Sequence, residues 1–252
     1  MSVWGIVELE PGEERAISIG ELDLQFRRTA EEWRLGLFGN PVTAGGAVPG
    51  WRSIPALGNT RPNLVPATPD LPVVLKPANP IALVPGATVH YKLTLPIWIK
   101  LIVTGKRGRE VTTETLADLP SHLIKRTWFG TVEAGEVAYG WRFSPQTDHA
   151  NRAVRRDEFS VPLTIKNRSD AVLWFERLML RVVHLDLYQA DGGIVSNSVT
   201  VNYKGLEQYS QITWGDGRSM IKSGFHKISG CREVASNDII RKSFIWLRDL
   251  TA

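Results

Sequence analysis

TVHYKLTLPIWIKLIV, residues 88–103, places an apolar side chain at every second position: Val89, Tyr91, Leu93, Leu95, Ile97, Ile99, Leu101 and Val103. The intervening residues are mostly polar or amphipathic, among them His90, Lys92, Thr94, Trp98 and Lys100. Such alternation marks a half-buried strand, because successive side chains leave a strand on opposite faces. Drawn as one strand, the stretch would run about 50 Å, longer than ordinary sheets allow. Pro96 has no N–H to give to a sheet ladder, so the chain is expected to bend there into a second strand.

The same period-2 signal recurs on both sides. Leu22, Leu24 and Phe26 alternate, as do Trp33, Leu35 and Leu37, which predicts a hairpin preceded by a strand over 3–9. After the turn TGKRGRE (104–110), residues 111–116 read as a strand returning on the central element. Segments 123–132 and 136–143 read as a second hairpin, with Val137, Tyr139, Trp141 and Phe143 on one face. Phe159, Val161, Leu163 and Ile165 alternate up to a turn at 167–170. Between Val172 and Tyr188 the alternation slips by one residue, which calls for a bulge or a break near Val182. Asp191-Gly192 and Asp216-Gly217 are turn signals around a strand carrying Val195, Val199 and Val201.

Two segments differ in character. Ten of the fifteen prolines fall between Pro41 and Gly86, which predicts an extended coil wrapped over the surface with a short strand near 73–75. Near the C-terminus, Ile240, Phe244 and Leu247 recur at i, i+4, i+7, with Ser236 or Asn237 available as a cap, and a helix is expected there. The fold class is therefore all-β: two β-sandwich-like halves of antiparallel strands with a single C-terminal helix. The halves are assigned to residues 1–150, including the proline-rich 41–86, and 151–252.

Composition narrows the functional classes. With 43% hydrophobic residues, nine Trp and eight Phe, the chain of 252 residues can bury a large core. The net charge of +4 is unevenly spread, since residues 1–33 hold eight acids against three bases. A mildly basic balance permits contact with anionic partners without selecting one. Cys231 is the only cysteine, which excludes an intramolecular disulfide and a cysteine-based metal site. The start, MSVWGIVELEPGEE, has neither a charged leader nor an apolar core, and no run of 18 apolar residues occurs, so a soluble cytoplasmic protein is expected.

Three stretches, PIALVPGATVHYKLTLPIWIKL (80–101), WFGTVEAGEVAYGWRF (128–143) and VPLTIKNRSDAVLWFERLML (161–180), together resemble the prokaryotic, mostly archaeal family called domain of unknown function 432. The resemblance spans roughly residues 70–210 and rests on strand and turn patterns. It implies no catalytic residues, and it suggests a link of relatives with small mechanosensitive channels.

Reactive motifs are sparse. Gly105-Lys106 fails as a phosphate loop, because Lys100 and Arg107 stand where that motif needs Gly and Ser or Thr. Lys106, Arg107 and Arg109 form a basic hairpin tip, which Lys125 and Arg126 would join if the next hairpin lay beside it. Clustered cations of this kind gain from neutralising anionic lipid, phosphate or an acidic surface. Arg152, Arg155 and Arg156 form a second cluster, offset by Asp157 and Glu158, and Asp148-His149 lies in the same loop. The five histidines are far apart in sequence, though His184 and Asp186 would share a strand face, as a general base and its orienting carboxylate would. Trp98 falls on the polar parity beside Lys100 and is expected to face outward as a partner surface.

The reading that follows is a non-enzymatic binding or assembly module without metal or cofactor, with a protein partner expected and no specific nucleic-acid binding. An accessory role at an anionic membrane surface or channel, through the basic tips, is one alternative. A carbohydrate-binding or hydrolytic β protein is the other.

Overall fold

The alternating stretch breaks at Pro96 into two strands, Thr88–Pro96 and Trp98–Arg107, which enter different sheets. The computed structural model describes residues 3–44, 49–56, 58, 60–107, 110–144, 154–190, 193–205 and 210–235. Of these, 43–44, 106–107, 110–112 and 190 are described for their main chain alone. Strand dominates throughout, and the protein is all-β. Packing divides it into two compact units that interleave along the chain, residues 1–67 with 96–123 and residues 68–95 with 124–252. The sequence pattern suggested one cut near residue 150; the units instead exchange chain at 67/68, at Pro96 and at 123/124.

The first unit opens with β1 (Gly5–Ile6), β2 (Glu14–Ile19), β3 (Leu22–Arg28), β4 (Glu32–Gly39), a short helix α1 (Asn40–Ala44), β5 (Gly50–Pro55) and β6 (Arg61–Ala67). Strands β2 to β5 form an antiparallel meander in chain order, and Leu22, Leu24, Phe26, Leu35 and Leu37 are buried along it. The 22–37 hairpin is thus where alternation placed it. The chain passes through β7 (Val73–Pro77), β8 (Ile81–Leu83) and β9 (Thr88–Pro96) in the second unit. It then returns as β10 (Trp98–Arg107) and β11 (Glu110–Pro120). These complete an antiparallel sheet in the order β1-β6-β10-β11.

The proline-rich segment is more regular than expected: it holds four strands rather than a coil with one. Strand β6 shows how. The Pro62 carbonyl accepts a hydrogen bond from Val7 N (2.9 Å), so residues 62, 64 and 66 address the β1 side. Asn63 and Val65, with Arg61 and Ala67, keep their N–H groups for β10, which is aligned with all of β6. Pro62 and Pro66, an even four residues apart, put both missing donors on one edge, where only the two-residue β1 pairs.

The second unit continues with β12 (Arg126–Phe129), β13 (Glu136–Phe143), β14 (Glu158–Asn167), β15 (Leu173–Phe175), β16 (Leu178–Leu180), β17 (Leu187–Ala190), β18 (Gly193–Ser196), β19 (Val199–Tyr203), β20 (Gln211–Trp214), helix α2 (Gly217–Lys222) and β21 (His226–Ser229). Its largest sheet runs β20-β19-β14-β18-β17-β21, with β9 also on β14. Not all pairing is antiparallel: β14 lies parallel to β18 and β19, and β13 parallel to β7. Strand β14 is central, and Phe159, Val161, Leu163 and Ile165 are buried along it. The slip in alternation near Val182 is a 3₁₀ turn, Val182–His184. Asp216 accepts from Arg218 N (2.9 Å) and caps α2, so that turn signal opens a helix. Asp191-Gly192 and the helix expected near 240–247 lie outside the described residues.

Asn167 ends β14 with no exposed surface and all of its amide engaged. Its Nδ2 donates to the carbonyls of Leu83 and Ala171 (both 2.8 Å), and its Oδ1 accepts from Ser169 N (3.0 Å) and Oγ (2.7 Å). Asn167→Asp keeps the shape but sets a carboxylate against two carbonyls. Chemical denaturation should show a loss of about 3 kcal/mol, since buried groups left unsatisfied or charged cost at least that much together.

Candidate functional site

Strands β12-β13-β7-β16 form a four-stranded sheet whose register sorts its side chains into two faces. On one face Val73, Leu75, Leu178 and Leu180 are buried, with Tyr139 and Phe143 beside them. Because side chains alternate, the residues between them must face the other way. There Gly140 is in register with Val74 and Arg142 with Lys76. Leu178, the first residue of β16, pairs with Leu75 on the far side of β7, and Arg177, just before that strand, lines the same depression as Lys76 and Arg142. Arg142, Lys76 and Arg177 thus form a row of cations across three neighbouring strands. Lys125 joins from just before β12: its carbonyl accepts from Gly140 N (2.9 Å), and it has the same parity as Thr127 and Phe129.

This face is concave. Arg177 Nη2 donates to the Trp128 carbonyl (3.2 Å), and its guanidinium lies 6.0 Å from the centre of the Phe129 ring. In a flat sheet β16 and β12 would stand about 14 Å apart, beyond the reach of one arginine, so the strands coil toward each other over this face. Val74, Phe129, Ala138 and Met179 make a small buried apolar cluster beneath. Beside it opens a depression of about 350 Å³ with Val74, Gly140 and Thr127 at its floor, Lys76, Arg142 and Arg177 around it, and Trp141 completing the lining. A Cβ at Gly140 would meet nothing closer than the Thr127 methyl at 3.7 Å, so the missing side chain is what leaves the floor open.

The charge here is uncompensated. Several cations elsewhere are matched: Arg27 with Glu14 (3.0 Å), Arg155 with Asp157 (3.1 Å) and Glu158 (3.2 Å), and Lys227 with Asp186 (2.9 Å). Among the described residues, Lys76, Arg142 and Arg177 have no ion-pair partner. Glu136, on the same face, is held by the fork of Arg181, whose Nη1 donates to its Oε2 at 3.0 Å. Like charges opposite one another on a sheet are destabilising, and a concave surface lined by one sign focuses its field. What the arrangement can do chemically is hold an anion.

The residues singled out in the sequence are distributed otherwise. Of the basic set, Lys125 is exposed beside the depression, whereas exposed Arg126 has the opposite parity and hydrogen-bonds Tyr139. Lys106 and Arg107 end the β10–β11 hairpin opposite Val111 and Glu110, described by main chain alone, and Arg109 lies outside the described residues. Trp98 is not the outward aromatic it was expected to be: 3% exposed, it heads central strand β10 between Ala67 and Pro120, within a run of buried residues from Leu95 to Ile99. Exposed tryptophans occur elsewhere, Trp128 at 47% and Trp174 at 49%. Asp148, His149 and Arg152 lie outside the described residues.

His184 and Asp186 are each committed to main chain. His184 Nδ1 lies 2.9 Å from the Glu233 carbonyl, with its ring edge-on to Trp214, and Asp186 accepts from Cys231 N (2.9 Å) and the Tyr188 hydroxyl (3.3 Å). Together with bonds from Arg232 N and Glu233 N to the Val183 carbonyl, they tie residues 231–233 to the 3₁₀ turn. Among the described residues no group of three His, Cys, Asp or Glu is gathered for a metal. The alternation that puts Val137, Tyr139, Trp141 and Phe143 on one face of β13 leaves Arg142 on the other. Sequence reasoning missed Lys76 and Arg177, because only the folded sheet brings them together.

The sheets and this row of cations define an all-β protein with a cationic face. Residues 3–248 match the family described as Protein of unknown function (DUF432), and the chain belongs to that family. No curated protein and no solved structure matches it.

Two outcomes follow from the geometry. Without ligand, Arg142→Gln should raise stability by about 0.5 kcal/mol in low salt, by relieving like-charge repulsion, and the gain should shrink at 0.5 M NaCl; paired thermal melts measure it. Burial, then the Asp70 carboxylate accepting its hydroxyl (2.9 Å), raise Tyr139 to about 12. A folded-state value above the ordinary 10 contributes stability below pH 10 that is lost as pH rises from 10 through about 12. Denaturant titrations across that range should therefore fall less steeply for Tyr139→Phe than for the wild type.

Proposed function

We propose that this chain is a non-enzymatic binding or assembly module, acting in the cytoplasm, whose ligand docks through an anionic group on the concave face of the β12-β13-β7-β16 sheet. The observation that carries this reading is the row Arg142–Lys76–Arg177, aligned across three strands and unmatched by carboxylates among the described residues. A folded chain tolerates adjacent like charges at a cost, and a bound anion turns that cost into affinity. Nothing in the arrangement of His184 and Asp186 favours a hydrolytic role, since both serve the main-chain bonds around residues 231–233. The lone, half-buried Cys231 accords with a reducing compartment.

A second reading, an accessory at an anionic membrane surface, draws on exposed Lys125 and Arg126 at the entry to β12. No helix among the described residues is long and apolar enough to cross a membrane.

Native mass spectrometry of protein isolated gently from its host tests the module. A small anionic ligand should accompany the wild type and be lost from Lys76→Gln/Arg142→Gln. Wild-type protein that carries no ligand, with a melting temperature unmoved by any anion, would sink the proposal.

A further inference from the structure

The depression beside Gly140 is shaped for more than a general attraction to anions. We infer that it is a phosphoryl-binding site that takes the phosphate monoester of a small molecule; this deepens the binding reading above and rests on it. Charge comes first. Arg142, Lys76 and Arg177 stand in one row, Lys125 flanks it, and among the described residues no carboxylate pairs with the row. A phosphate monoester carries about −1.5 to −2 at neutral pH with three acceptor oxygens, which suits several converging cations better than a single carboxylate does.

The donors are of the right kind. Two guanidinium forks and one ammonium offer the bidentate and point-charge contacts that phosphate oxygens accept. Arg177 is already held by the Trp128 carbonyl and lies over Phe129, so less of its freedom is lost when an anion arrives.

Size completes the assignment. About 350 Å³ lies at the low end of small-molecule pockets, which run from about 300 to 1,000 Å³. That admits a phosphate with a few further heavy atoms, over a floor kept clear by Gly140 and made partly apolar by Val74. The same chemistry is offered by a free phosphorylated metabolite and by a lipid bearing a terminal phosphate, and the experiment separates these sources.

Isothermal titration at 50 mM NaCl, on the full chain, would use inorganic phosphate, ribose 5-phosphate and, as a carboxylate of equal charge, succinate. Sedimentation would use phosphatidylcholine vesicles with and without phosphatidic acid. We expect ribose 5-phosphate to bind at least tenfold more tightly than succinate, and binding to weaken at least tenfold in Arg142→Gln. Gly140→Leu, which fills the floor from a position with room for a Cβ, should also abolish binding while keeping the wild-type melting temperature. Binding of ribose 5-phosphate supports a soluble ligand, whereas co-sedimentation only with phosphatidic acid vesicles, lost in the same two variants, supports a lipid phosphate. Succinate binding as tightly as ribose 5-phosphate overturns the phosphoryl assignment and leaves the binding module standing. Wild-type affinity in both variants overturns the site, and failure of every anion to bind overturns this inference and the module together.

Discussion

Leu75 decides where Lys76 points. With none of its surface exposed, Leu75 is held between Leu178 on one side and Trp141 on the other, in an inner strand of its sheet. A strand has no freedom to turn one residue without turning its neighbours, because the pleat alternates strictly. Burying Leu75 therefore commits Lys76 to the opposite face, and the register with β13 and β16 commits Arg142 and Arg177 to stand next to it. The hydrophobic face supplies the energy and the cationic face accepts the consequence. A core of Val73, Leu75, Leu178 and Leu180 can hold three like charges in a row, since each fully buried aliphatic side chain contributes about 1.5–3 kcal/mol against a few tenths to about 1 kcal/mol for a like-charge pair.

The same rigidity explains how two units share one chain. Pro96 ends β9, and the next strand joins a different sheet, so a continuous alternating segment serves two cores. Alternation carries through the break, with Leu93 and Leu95 buried before Pro96 and Ile97 and Ile99 buried after it. Proline thus acts twice in this fold by the same property. At Pro96 a missing donor marks a strand end; at Pro62 and Pro66 it is spent on the edge of β6 that needs few donors. The rule that prolines forbid strands fails for β6, because the even spacing of Pro62 and Pro66, not their number, sets which edge loses its hydrogen bonds.

Much of the strand content was legible in the residues. The hairpins at 22–37 and 126–143, the return of β11 on β10, the strand 159–165 and the break at Val182 all follow from period-2 patterns or a slip in them. Trp98 shows where that reasoning stops. Its parity is polar, yet it is buried, since the chain covers both sides of β10 at its head and one-face logic no longer applies. The basic residues show the same limit. Lys106, Arg107 and Arg109 stood out because they are adjacent in sequence, whereas Lys76, Arg142 and Arg177 are scattered over a hundred positions and carry no local signature.

By itself, then, the sequence determined an all-β chain, the positions of most strands, the face each side chain would take within its own strand, and the family to which the chain belongs. Those properties depend on neighbours two and four residues away, and a linear pattern records them. Which strands lie side by side, in which direction and in what register was decided only by the tertiary structure, including the parallel pairing of β7 with β13 that sets Lys76 beside Arg142. Register arises from the joint burial of faces drawn from distant segments, and a cationic row built from three strands exists only once those faces have met.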